Sequence, residues 1–122
     1  MANPNIVSVT AIRGKTEVVI PSTTTLTQLG TTAATGHVLK VSSIVIANVT
    51  ATAAVITVSI YPNTTPTGTP SRLCFQTSVP GNASLVVVDK SVNLYLGESQ
   101  CIGVTSGTTN ALECTLSYED IS

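Results

Sequence analysis

Apolar and hydroxyl residues alternate with a period of two along most of this chain, and clusters of Gly, Pro and Asn interrupt the alternation at short intervals. Successive side chains of a β-strand point to opposite faces, so this is the pattern of half-buried strands. From Ala53 to Tyr61 the residues Ile56, Val58 and Ile60 share one face, with Val55, Thr57, Ser59 and Tyr61 on the other. Near the C-terminus Leu112, Cys114, Leu116 and Tyr118 oppose Glu113, Thr115, Ser117 and Glu119. A third stripe, Leu73, Phe75, Thr77 and Val79, is set against Arg72, Cys74, Gln76 and Ser78.

Two segments, 41–49 and 85–88, are apolar on both faces, which suits strands covered on both sides by a second sheet or a neighbouring subunit. Further strands are expected near 6–12, 17–20, 93–96 and 100–105, with a weak one at 26–29 inside the Thr-, Ala- and Gly-rich stretch 23–36. The nine-residue run Pro62–Pro70 contains three prolines and reads as an extended loop outside any ladder. Pro80-Gly81-Asn82 reads as a tight turn and 106–110 as a hairpin loop. The expectation is an all-β, single-domain antiparallel β-sandwich over residues 1–122, immunoglobulin-like or jelly-roll in type, with about eight or nine strands.

Charge changes the picture more than length does. Only 9% of the 122 residues are charged, against roughly a quarter in average soluble proteins. Thr, Ser and Asn stand in their place. The five basic residues, Arg13, Lys15, Lys40, Arg72 and Lys90, are scattered and the net charge is −1, so neither nucleic acid nor an anionic membrane is an expected partner. No apolar run reaches the length of a membrane span, and residues 1–5 do not read as a secretory leader, so synthesis in a cytoplasm is expected. A surface this poor in ions has little colloidal repulsion, which favours association.

Candidate chemistry is sparse. His37 is the sole histidine, and it would need an orienting carboxylate and a nucleophile within reach to act as a base. Cys74 and Cys101 are conceivable nucleophiles without a supporting motif. With Cys114 they form an odd, widely spaced set that reads as reduced core residues. Asp89, Glu98, Glu113, Glu119 and Asp120 could in principle supply a glycosidase pair, but aromatic lining is scarce. A calcium site at Glu119 and Asp120 lacks a ligand loop. GxSxG, HExxH and phosphate-loop motifs are absent. The sequons at Asn48, Asn63 and Asn82 read as chance in a Thr/Ser-rich chain. No catalytic, cofactor-binding or metal residues are assigned, and no enzyme activity is expected.

A resemblance adds a role. Ala-Ile-Arg-Gly-Lys-Thr (11–16), the strands 40–49 and 55–61, the turn-strand Ser78 to Lys90, Asn93 to Ser99 and the closing Leu-Ser-Tyr-Glu-Asp-Ile-Ser (116–122) follow one another in a familiar order. Together they resemble small virion structural proteins of tailed bacteriophages, especially marine cyanophage-type myophages. The resemblance runs from Ala11 onward and is strongest over 38–89 and at the C-terminus. It implies a β-sandwich located in the virion, made in the bacterial host cytoplasm. The role it suggests is capsid decoration (cement), with neck or tail (collar or baseplate) accessory as the alternative. Implied partners are other virion proteins, the major capsid protein or neck and tail proteins, together with self-association, for which a trimer is the suggested form. Pro62–Pro70 departs from the relatives and is a candidate subunit-specific contact. A carbohydrate-binding module for host attachment is the reading from another class; its aromatic platform would draw on Tyr61, Tyr95 or Tyr118.

Overall fold

The computed structural model describes residues 11–92 and 94–122. These form nine strands: β1 (Ile12–Val19), β2 (Thr27–Leu29), β3 (Val38–Asn48), β4 (Ala54–Tyr61), β5 (Ser71–Val79), β6 (Ser84–Val88), β7 (Leu94–Leu96), β8 (Cys101–Ser106) and β9 (Leu112–Ile121). Among the described residues there is no helix. Two antiparallel sheets face each other. Sheet A runs β1-β9-β3-β6, with β7 also on β3, and sheet B runs β2-β8-β4-β5.

Because β9 pairs with β3 along its length, β6 and β7 must share the other side of β3, one after the other, as two halves of a single edge. Counted so, every connection crosses between the sheets except β4–β5 and β6–β7. That is jelly-roll order. An immunoglobulin domain would keep its first two strands in one sheet, and here they lie in different ones.

The inner faces are apolar because alternation puts them there. Leu39, Val41, Ile44, Ile46, Leu112, Cys114 and Leu116 of sheet A meet Leu29, Ile56, Val58, Ile102 and Val104 of sheet B in one core. The apolar run in β3 conceals a change of phase. Ser42 is an extra residue relative to β9, so the inward set shifts from Leu39 and Val41 to Ile44 and Ile46. Val45 and Ala47, on the other face, remain half-buried.

Several sequence expectations need correction. The segments placed at 6–12 and 17–20 do not flank a break, because β1 runs unbroken from Ile12 to Val19 against β9; residues 6–10 lie outside the described set. This is an edge strand with little of its surface covered, so no apolar stripe marks it. The strand expected at 93–96 is seen as Leu94–Leu96, and Asn93 lies outside the described residues. The β5 stripe also fails. The register against β4 slips twice, between Ile56 and Val58 and between Val58 and Ser59, and Gln76 takes a positive φ of 46°. Cys74 therefore turns to Val58, while Phe75 is 57% exposed with the Arg72 guanidinium 4.7 Å from its ring centroid.

One end of the sandwich is tied by a polar clamp. Asn48 is buried, and its amide donates to Thr52 O (2.9 Å) and Val79 O (3.0 Å). Its Oδ1 accepts from Thr50 N (2.9 Å) and Thr50 Oγ1 (2.7 Å). Against the same loop lies the 80–82 turn, where Asn82 N donates to Thr50 O at 2.8 Å and a Cβ on Gly81 would meet Ala51 O at 2.2 Å.

Candidate interaction surface

The two sheets differ in what covers their outer faces. On sheet B the 62–70 loop folds back: Thr32 Oγ1 donates to Thr64 O at 2.8 Å, and a Cβ added at Gly103 would strike the Tyr61 ring, Leu26 and Pro66. Ser59, Tyr61 and Cys101 are buried beneath this cover. The loop read from sequence as an outward contact is thus, in part, a lid on its own sheet.

Sheet A has no such cover among the described residues. The pairing registers place Val18, Thr115, Val45 and Val86 in one row across β1, β9, β3 and β6. Thr16, Ser117 and Ser43 form the next row, and Thr16 Oγ1 lies 3.2 Å from Ser117 Oγ. Val18 and Val86 are 60% and 55% exposed. Glu113 stands at one end of the face beside Ala47 and Ser84; Glu119, Lys40 and Tyr95 form the row at the other. The middle rows therefore hold valine, threonine and serine and no charge. Alternation predicts which β9 residues face outward, but only the registers reveal that β1, β3 and β6 present the same chemistry beside them.

The residues singled out for chemistry do not converge. His37 Nδ1 lies 2.7 Å from Asp120 Oδ1, whose other oxygen is 3.8 Å from Lys15 Nζ. No thiol or hydroxyl hydrogen-bonds that ring among the described residues. Glu98 accepts from Gly36 N through Oε1, and its Oε2 is enclosed without a partner; the contact fastens the loop before β3 to the turn before β8. Asp89 accepts from Ser91 N (2.9 Å) and Ser91 Oγ (2.5 Å). The side-chain bond first and the backbone bond second hold its carboxyl below the usual range. Among the described residues no three His, Cys, Asp or Glu side chains are grouped to hold a metal ion, and no helix is long and apolar enough to cross a membrane. Asn48, one of the three sequon residues, is buried with its amide engaged, whereas Asn63 is exposed.

The tyrosines are distributed against expectation. Tyr61 and Tyr118 are buried and only Tyr95, at 44%, is exposed. Tyr118 Oη donates to Glu17 Oε2 at 2.6 Å, and burial, then that carboxylate, raise its ionisation well above the ordinary range. Burial likewise raises the Cys101 thiol and pushes Cys114 up to about 12.

Two outcomes follow from these thiols. Iodoacetamide at neutral pH should leave Cys101 and Cys114 unlabelled in the folded protein and modify both in denaturant, read by mass spectrometry; rapid native labelling of Cys101 would restore it as a nucleophile. In the unfolded chain Cys114 ionises near 9, whereas in the fold it stays neutral to about 12. Its contribution is therefore complete below pH 9 and lost as pH climbs toward 12. Denaturant midpoints should fall across that window, and less steeply in Cys114→Ala.

No protein-family model matches this sequence, nor does any curated protein at a significant level. Among solved structures, the chain is similar to one from the crystal structure of the T13 IBDV viral particle, with a TM-score of 0.55 and 9% identity over 93% of this chain and 32% of that one. Chains from infectious bursal disease virus strains Gt and Gx align at TM-scores of 0.44 and 0.39, with 10% and 7% identity. This chain spans about a third of the length of each of these neighbours. At such identity the likeness is one of fold: a β-sandwich also present in a chain of an icosahedral viral particle.

Proposed function

We propose that this chain is a single-domain structural component of a virion, a decoration (cement) protein that reinforces a bacteriophage capsid through protein–protein contacts. The observation that carries this reading is the face of sheet A that no described residue covers and whose middle rows hold no charge. Charged groups are depleted at the centre of protein interfaces, because each must be stripped of water there. The fold shared with a chain of an icosahedral particle supports a virion setting, and the sequence resemblance supports a tailed phage. A cement protein acts by burying such a face across joints in the shell and opposing the outward pressure of packaged genome. No catalytic role enters this account.

Counting copies per purified particle by quantitative mass spectrometry tests it. A number comparable with the major capsid protein is expected; about a dozen copies or fewer would move the protein to the neck or tail, and absence from particles would end the virion reading. A second reading, glycan attachment, is favoured by exposed Phe75 beneath Arg72 and by exposed Tyr95, not by Tyr61. Glycan-array binding lost in Tyr95→Ala or Phe75→Ala would support it.

A further inference from the structure

We propose that the face of sheet A left open by the described residues is closed by the same face of a second copy, turned end for end about a two-fold axis. This rests on the reading of that face as a docking surface and names its occupant.

Charge is placed unevenly along the face. Glu113 and Glu119 are six residues apart on β9, so the ends of the face are roughly 20 Å apart. Beyond the uncharged rows, one end carries Glu113. At the other, Lys40 and Lys90 line a shallow recess of about 210 Å³ with Val41, Ser42, Val92 and Glu119. Asp89, next to Lys90, is turned into its own loop by Ser91. Among the described residues the Lys15–Asp120 contact joins an ammonium to a carboxylate, and none of Lys40, Lys90 and Glu113 has such a partner among them.

A two-fold axis parallel to the strands would set Glu113 on Glu113 and lysine on lysine. An axis across the strands reverses them and lays β9 on β9, bringing each Glu113 to the partner's end that holds Glu119, Lys40 and Lys90, where two ammonium groups outweigh one carboxylate, while the valine and hydroxyl rows meet between. The contact is made twice, as an isologous interface requires, and two sheets pack this way at about 10 Å with strands within about 30°. Four strands spaced about 4.8 Å apart give on the order of 400–500 Å² per copy, at the low end for a specific contact. Pairing in solution is accordingly weak, and repetition in an array strengthens it.

Sedimentation equilibrium of the full chain at low salt, over about 1–200 µM, reads this directly. Wild type should show a concentration-dependent monomer–dimer equilibrium. Glu113→Lys and Lys40→Glu should each weaken it roughly tenfold, and the double variant should regain most of the loss. Thr115→Arg, placed mid-face, should abolish it with an unchanged thermal midpoint. Wild type monomeric throughout, or tighter pairing in Glu113→Lys, overturns the arrangement. If wild type is monomeric yet Thr115→Arg is lost from particles, the docking surface stands and its occupant is another protein; if Thr115→Arg is incorporated normally, the docking surface itself fails.

Discussion

Asn48→Ala should destabilise the protein by about 3 kcal/mol, lowering the thermal midpoint by roughly 10–15 °C for a domain of this size. A primary amide offers two N–H donors and two acceptor sites, and in Asn48 all four are used, on Thr52 O, Val79 O, Thr50 N and Thr50 Oγ1. Alanine strands these partners at the point where β3 ends and the chain crosses to β4. The Val79 carbonyl suffers most, because its bond is fully buried, whereas water can reach groups around Thr50. Asn48→Asp should be at least as damaging near neutral pH, since it aims a carboxylate at two carbonyl oxygens. Its stability should recover in part on acidification, when the carboxyl is protonated and can donate. Calorimetry or guanidinium unfolding measures both; a loss under 1 kcal/mol in Asn48→Ala would show that the clamp is dispensable.

Gly81→Ala comes next, at about 3 kcal/mol, an overpacking penalty at the upper end of its usual range. The added methyl would sit 2.2 Å from Ala51 O and 2.4 Å from Ala51 C. Both are backbone atoms, so no rotamer change relieves the clash and the turn must move. Movement stretches the bonds from Asn82 N to Thr50 O and from Asn48 N to Ala83 O, each 2.8 Å. The two substitutions act on one assembly, so Asn48→Ala combined with Gly81→Ala should cost clearly less than the sum of the singles. Additive losses would mean that the turn and the amide are independent.

These sites also show where sequence reading reaches and where it stops. Strands β4 and β9 are legible because alternation survives from end to end in each: β4 runs in regular register against β8, and the one extra residue between β9 and β3 lies in β3. In β5 a two-residue rule meets two slips of register, so Phe75 leaves the face that periodicity assigns to it. Edge strand β1 buries too little for any stripe to form, and its existence is declared by eight partners on β9, not by its own composition. Read from sequence alone, Asn48 is no more than a chance sequon. Its signal was available: it continues the inward series of Ile44 and Ile46, and an Asn at an inward position two residues before a Thr points to a side chain that caps the following turn. The uncovered face of sheet A was half legible. Outward Thr115 and Ser117 follow from β9 alone, but Val18, Val45 and Val86 join them only through strand order, which a list of strands does not contain.

Strand order also sets a timetable for synthesis. Strand β9 lies between β1 and β3, and both receive their neighbour from the last segment of this fold to be translated. Until residue 121 clears the ribosome, β1 lacks the neighbour it pairs with among the described strands, and β3 is bare along one side. Sheet B has its four strands available once residue 106 has emerged, so it is the half able to assemble first. Nascent chains stalled just before β9 should therefore remain sensitive to protease, and full protection should arrive in a single late step.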